Sequence, residues 1–114
     1  MNRTISSALA MAVVLASACS KPTPYCRLRQ SEARANLSAL QEAQSAFRER
    51  HGHFANSFDE LHFTPPDPNY YDVRIVTASN DAYLATATGK RVVDGDVWSI
   101  DERGTPVLKS DACR

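Results

Sequence analysis

The side chains able to do more than pack are three cysteines, three histidines and a set of three aspartates: Cys19, Cys26 and Cys113; His51, His53 and His62; Asp94, Asp96 and Asp101. A zinc site needs four ligands at defined spacing. The histidines fall within twelve residues but bring no fourth ligand, so they read as loop histidines and no metal is expected there. The aspartates offer the hard oxygen donors that calcium takes. Gly95-Asp96 and Asp101-Glu102-Arg103-Gly104 are equally good turn formers. No G-x-S-x-G, H-E-x-x-H, glycine-rich phosphate loop or C-x-x-C occurs, and nothing groups one serine with one histidine and one acid. The expectation is a protein that is not an enzyme and uses no cofactor.

The cysteines carry more information. Met1 to Thr4 holds one positive charge, Arg3, and Ile5 to Ala18 is uncharged and mostly apolar, with Leu9, Met11, Val13, Val14 and Leu15 at its centre. A run of about 14 residues fits the core of an export signal and is short of the ~20 that span a bilayer. Leu15-Ala16-Ser17-Ala18-Cys19 resembles a bacterial lipobox, in which the cysteine is diacylated and becomes the new N-terminus. Ala16 stands where that motif usually has leucine. Ala16-Ser17-Ala18 also satisfies ordinary signal cleavage, which would release a soluble chain. Lipid on Cys19 leaves an even pair, Cys26 and Cys113, for one disulfide in an oxidising compartment. Ser20 after the cysteine, where an inner-membrane lipoprotein of enteric bacteria has Asp, points to the outer membrane rather than the inner.

The remaining chain has room for one domain. Of 114 residues, 43% are hydrophobic and 23% charged, an ordinary globular balance. Without a leader containing Arg3 and no acid, 12 of the 13 Lys and Arg face 13 Asp and Glu. That balance gives no overall electrostatic footprint for nucleic acid or for anionic lipid, and neither is an expected partner on charge alone. The expected division is a signal peptide over 1–18, a lipidated tether over 19–24 and a globular domain over 25–114.

Position within that domain follows from periodicity. Thr23-Pro24 reads as an N-cap and first helical residue. Tyr25 to His51 then reads as one helix stopped by Gly52. Ala33, Leu37, Leu40, Ala43 with Gln44, and Phe47 form its apolar stripe. Ser57 and Glu60 suit a capping box around a short turn that points Phe58 and Leu61 inward. Thr64 to Asn69, with three prolines, breaks helix. Four β segments follow: Tyr70 to Thr77, Ala82 to Thr88, Asp96 to Ile100 and Thr105 to Lys109, with Gly89 to Gly95 a polar connection. Strand alternation places Tyr71 with Val73 and Ile75, and Tyr83 with Ala85 and Ala87. Tyr70, Tyr71 and Trp98 read as core aromatics rather than an exposed binding face. The expected fold is α+β, one long N-terminal helix packed on a small antiparallel sheet.

These residues resemble a known family. Gln30 to Leu40 (QSEARANLSAL) and Ala43 to Phe47 (AQSAF) look like the exposed half of the long helix of type IV pilins and type II secretion pseudopilins, particularly δ-proteobacterial pilins. Gly52-His53-Phe54, Phe58 to Leu61, Tyr83 to Gly89 and Gly95 to Asp101 follow in matching order, so the similarity covers about residues 29 to 112. It implies a pilin-like head, contacts with pilin or secretion-apparatus proteins, and a site where some pseudopilins bind calcium, near Asp94, Asp96 and Asp101. The sequence departs from the family at its start. The first glycine is Gly52 and the first glutamate Glu32, so the prepilin-cleavage signature and the apolar half-helix have no counterpart ahead of Gln30. The expectation is a pilin-like lipoprotein of the cell envelope, attached to a membrane through Cys19 and acting by protein–protein contacts. The alternative is a periplasmic or surface binding module that keeps the head fold without a part in pili.

Overall fold

The computed structural model describes residues 24–65 and 69–114. The expected signal peptide, the Thr23 cap and Cys19 lie outside the described residues. α1 runs Pro24–His51, with Pro24 in the first turn, where its missing N–H costs no helical hydrogen bond. Its C-terminal turn holds Arg48 and Arg50, cations that suit the negative end of the helix dipole, and His51. The helix ends at Gly52, whose φ of 81° is a left-handed conformation that glycine adopts without strain.

The buried face of α1 is Cys26, Gln30, Ala33, Leu37, Leu40, Gln44 and Phe47, spaced 4, 3, 4, 3, 4 and 3 along the chain. This stripe is the expected one, extended two turns towards the N-terminus and with Gln44 rather than Ala43 on the buried line. Gln44 is fully buried, and its carboxamide satisfies both backbone groups of Ala55: Nε2 donates to Ala55 O and Oε1 accepts from Ala55 N, each at 2.8 Å. Buried polar groups are stable only when paired in this way. The bond pins the chain after α1 back onto the helix.

α2 is the short turn Phe58–Leu61. Ser57 Oγ accepts from Glu60 N at 3.1 Å, and the reciprocal bond goes from Asn56 N to the Glu60 carboxylate. The expected capping box is thus displaced by one residue on its return side. Ser57→Ala is expected to cost about 1 kcal/mol, read as a small drop in urea midpoint.

The sheet has four antiparallel strands in sequential order: β1 Tyr71–Ala78, β2 Tyr83–Gly89, β3 Val97–Asp101 and β4 Val107–Ser110. Tyr83, Ala85 and Ala87 on β2 and Trp98 and Ile100 on β3 are buried against α1, as strand alternation requires. On β1 the alternation runs through Tyr71, Val73 and Ile75 with Val76 outside, and then a register shift between Ile75 and Thr77 turns Thr77 out and Ala78 in. β4 begins after Pro106, which has no N–H for the ladder, so it starts two residues later than its composition suggested.

The polar connection expected over 89–95 is different in kind. Arg91–Val93 forms a 3-10 turn that buries Val93 completely while leaving Arg91 and Val92 outside. Gly89 has to be glycine for space. A Cβ there would lie 2.0 Å from Val93 O and 2.9 Å from Asp96 Cβ. Gly89→Ala is expected to lower stability by about 1–3 kcal/mol, with loss of the β2–β3 amide protection measured by hydrogen exchange.

Candidate functional site

The chemical residues of the sequence do not converge on a catalytic arrangement. His51 and His53 flank Phe47, with ring centroids 4.3 and 5.4 Å from the phenyl ring. His62 is elsewhere in role, the left-handed residue (φ 54°) closing α2. Among the described residues, no close group of three metal-capable side chains includes a histidine.

The aspartates also part company. Asp101 lies at the far end of β3, about 16 Å of extended chain from Asp96. Its carboxylate accepts from Arg103 N at 2.9 Å in the turn that ends with Gly104 N donating to Asp101 O. Asp94 is exposed.

Asp96 is fully buried and is the centre of a polar knot at the base of the head. Its Oδ1 accepts from Ala112 N at 2.6 Å and its Oδ2 from the Tyr71 hydroxyl at 2.7 Å. The Gln30 amide Nε2 donates to both oxygens at 3.1 Å and to Asp111 Oδ1 at 2.8 Å. Asp111 Oδ1 also accepts from Cys113 N at 2.8 Å, and its other oxygen sits 3.5 Å from Arg27 Nη1. One buried carboxylate thereby joins α1, β1, the start of β3 and the C-terminal segment.

The disulfide lies beside this knot. Cys26 in the first turn of α1 is bonded to Cys113, with Cα atoms 5.9 Å apart, ordinary for a disulfide. Asp96, Asp111 and Cys113 bring ligand atoms within 4.8 Å of one another. The donor chemistry there does not suit a cation. Asp96 is faced by N–H and O–H donors, and the Cys113 sulfur is covalently used.

Charge states follow the packing. Burial and then the hydrogen bond to Asp96 push the Tyr71 phenol up from its ordinary value, so it remains a donor. Its contribution to stability is present below the ordinary phenol range and fades as pH rises through the folded value. The hydrogen bonds from Gln30 and then Cys113 N hold Asp111 below its usual range. That contribution is present above the unfolded value and fades as pH falls through the folded one. The fold should therefore soften in acid as Asp111 protonates, which a urea midpoint series across pH would show.

At the other end of α1, Ser45, Arg48, Glu49, Phe54, Asp81 and Glu102 line an open depression of about 390 Å³. Arg48 bridges it, donating from Nε to Asn80 O at 2.7 Å and pairing with Asp81 at 3.3 Å.

One long helix laid on a four-stranded antiparallel meander, its C-terminus tied to the helix base, defines a pilin-like head. A family model described as type IV pilin-like G and H matches residues 30–97. The chain is 33% identical over 91 residues to the type IV major pilin protein PilA of Myxococcus xanthus (strain DK1622), covering 77% of this chain. It spans 36% of that relative's length. The crystal structure of the Neisseria meningitidis non-core minor pilin PilV superposes with a TM-score of 0.62 over 75% of this chain and 88% of that one, at 19% identity, a likeness of fold. The chain belongs to the type IV pilin-like G and H family.

Proposed function

We propose that the chain is a lipid-anchored pilin-like head, held at the bacterial envelope through Cys19, that works by protein contacts beside a type IV pilus or type II secretion apparatus and catalyses no reaction. The observation that carries this is where the head begins. Cys26 and Gln30 are already buried and bonded to the C-terminal segment, only seven and eleven residues after Cys19. The folded head therefore starts directly above the proposed lipid. The lipobox-like residues before Cys19 and the even cysteine pair after it support the same anchor. No helix among the described residues is long and apolar enough to cross a membrane.

Affinity purification of the full chain from its own cells should recover pilins or secretion proteins, and its deletion should change piliation or secretion. Absence of both effects would overturn the apparatus reading. The acid-lined depression at the distal end of α1 favours the second reading in that case, a periplasmic or surface binding module.

A further inference from the structure

The end of the head nearest the anchor carries an exposed apolar and basic collar. Tyr25 is 42% exposed, Leu28 51% and Val92 46%, all large hydrophobic side chains outside the core. They ring the base of α1: Leu28 is the i+3 neighbour of Tyr25 on the outer side of the helix, and the turn bearing Val92 lies on the other side of Tyr25, next to Cys26. The Tyr25 and Tyr70 hydroxyls are 2.6 Å apart, Lys90 N donates to Tyr70 O at 2.8 Å, and Cys26 Sγ lies 3.5 Å from Val92 O. The Arg29 guanidinium sits 4.7 Å over the Tyr25 ring and 4.0 Å over that of Tyr70.

The turn that presents this surface is strained. Arg91 has φ 58°, a left-handed conformation that a long L side chain rarely adopts. The conformation lets Val93 enter the core while its two predecessors face out. Acidic groups nearby are mostly engaged: Glu32 pairs with Arg29 at 2.8 Å and Asp111 with Gln30 and Cys113, while Asp94 is exposed. Lys90 and Arg91 form no ion pair among the described residues.

We propose that this collar of Tyr25, Leu28, Lys90, Arg91 and Val92 docks on the anionic phospholipid surface of the membrane that holds the anchor. This rests on the lipid-anchor reading. The chain from Cys19 to Tyr25 reaches about 20 Å at most, so a bilayer holding Cys19 lies within that distance of the first turn. Tyr side chains suit the headgroup layer, apolar side chains the acyl boundary below it, and Lys and Arg the anionic lipid above. Docking there would hold α1 at a fixed tilt and leave the distal depression facing away from the membrane.

The test uses the full lipid-bearing chain extracted from membranes and reconstituted in vesicles of phosphatidylglycerol and phosphatidylcholine with brominated acyl chains. Val92→Trp places a reporter in the collar, Leu28→Trp a second one, and Val76→Trp a control on the distal part of β1; native Trp98, 1% exposed, is a constant background. Strong bromine quenching at 92 and 28 and none at 76 is the expected result. Lys90→Glu with Arg91→Glu should reduce quenching at 28 to the level at 76. Equal bromine quenching at all three positions, with the lipid present by mass, would overturn the docking and leave the anchor standing. A chain without lipid that also fails to float with the vesicles would overturn both.

Discussion

Asp96→Ala is expected to lower the stability of the head by about 3 kcal/mol or more. The substitution removes the acceptor for three donors at once: the Tyr71 hydroxyl, the Gln30 amide and Ala112 N. Each buried donor left without a partner costs about 1–3 kcal/mol, less whatever entering water recovers. A single domain of this size has only about 5–15 kcal/mol in total. The midpoint of thermal unfolding should therefore fall by about 12 °C or more. Asp96→Asn should be milder. Its carbonyl can keep Ala112 N while its amide donates to Tyr71, whose hydroxyl can turn to accept. Ordering of the three variants as wild type, Asn, Ala in urea midpoint is the measurement. Equal stability of Ala and wild type would mean that the knot contributes nothing net.

The second large effect is that of the disulfide. Cys26 and Cys113 are 87 positions apart, so the bond restricts almost the whole domain in its unfolded state. Replacing both cysteines by alanine should cost about 3–5 kcal/mol on the chain-entropy argument, and reduction of the wild-type protein should cost the same. The two effects should not add. Ala112 N and Cys113 N are held by the knot, and Cys113 by the disulfide, so either change frees the same C-terminal segment. A double-mutant cycle should return a coupling of about 0.5–3 kcal/mol. Strict additivity would show that knot and disulfide hold the tail independently.

How far the sequence disclosed this arrangement depended on whether the cause was local. The stripe from Ala33 to Phe47 was readable because helical period and core burial act on neighbours three and four apart. Tyr83, Ala85 and Ala87 were readable for the analogous reason in a strand. Gln44 was placed on the right face, but its two bonds to Ala55 depend on how the next loop folds back. Asp96 was legible only in part. The turn that Gly95-Asp96 suggested is there, with Asp96 N donating to Val93 O at 2.9 Å, but the partners of its carboxylate come from positions 30, 71 and 112. No spacing rule links those positions. Val93 was hidden in a run that looked polar, since the turn that buries it depends on Arg91 taking a left-handed conformation. Asp111 was missed altogether, although its place two residues before a bonded cysteine, where its side chain can cap Cys113 N, was a local signal.

The family relation has a similar limit. It covers the head and says nothing of how the chain is held. A pilin-like head on a lipid differs from a filament subunit in what lies before the first helical turn, and those residues carry the central claim. Intact-mass measurement of the membrane-extracted protein tests it most directly. The predicted mass is that of a chain beginning at Cys19, increased by a diacylglyceryl group and lowered by two hydrogens for the Cys26–Cys113 bond. A chain beginning at Cys19 with no added lipid would contradict it.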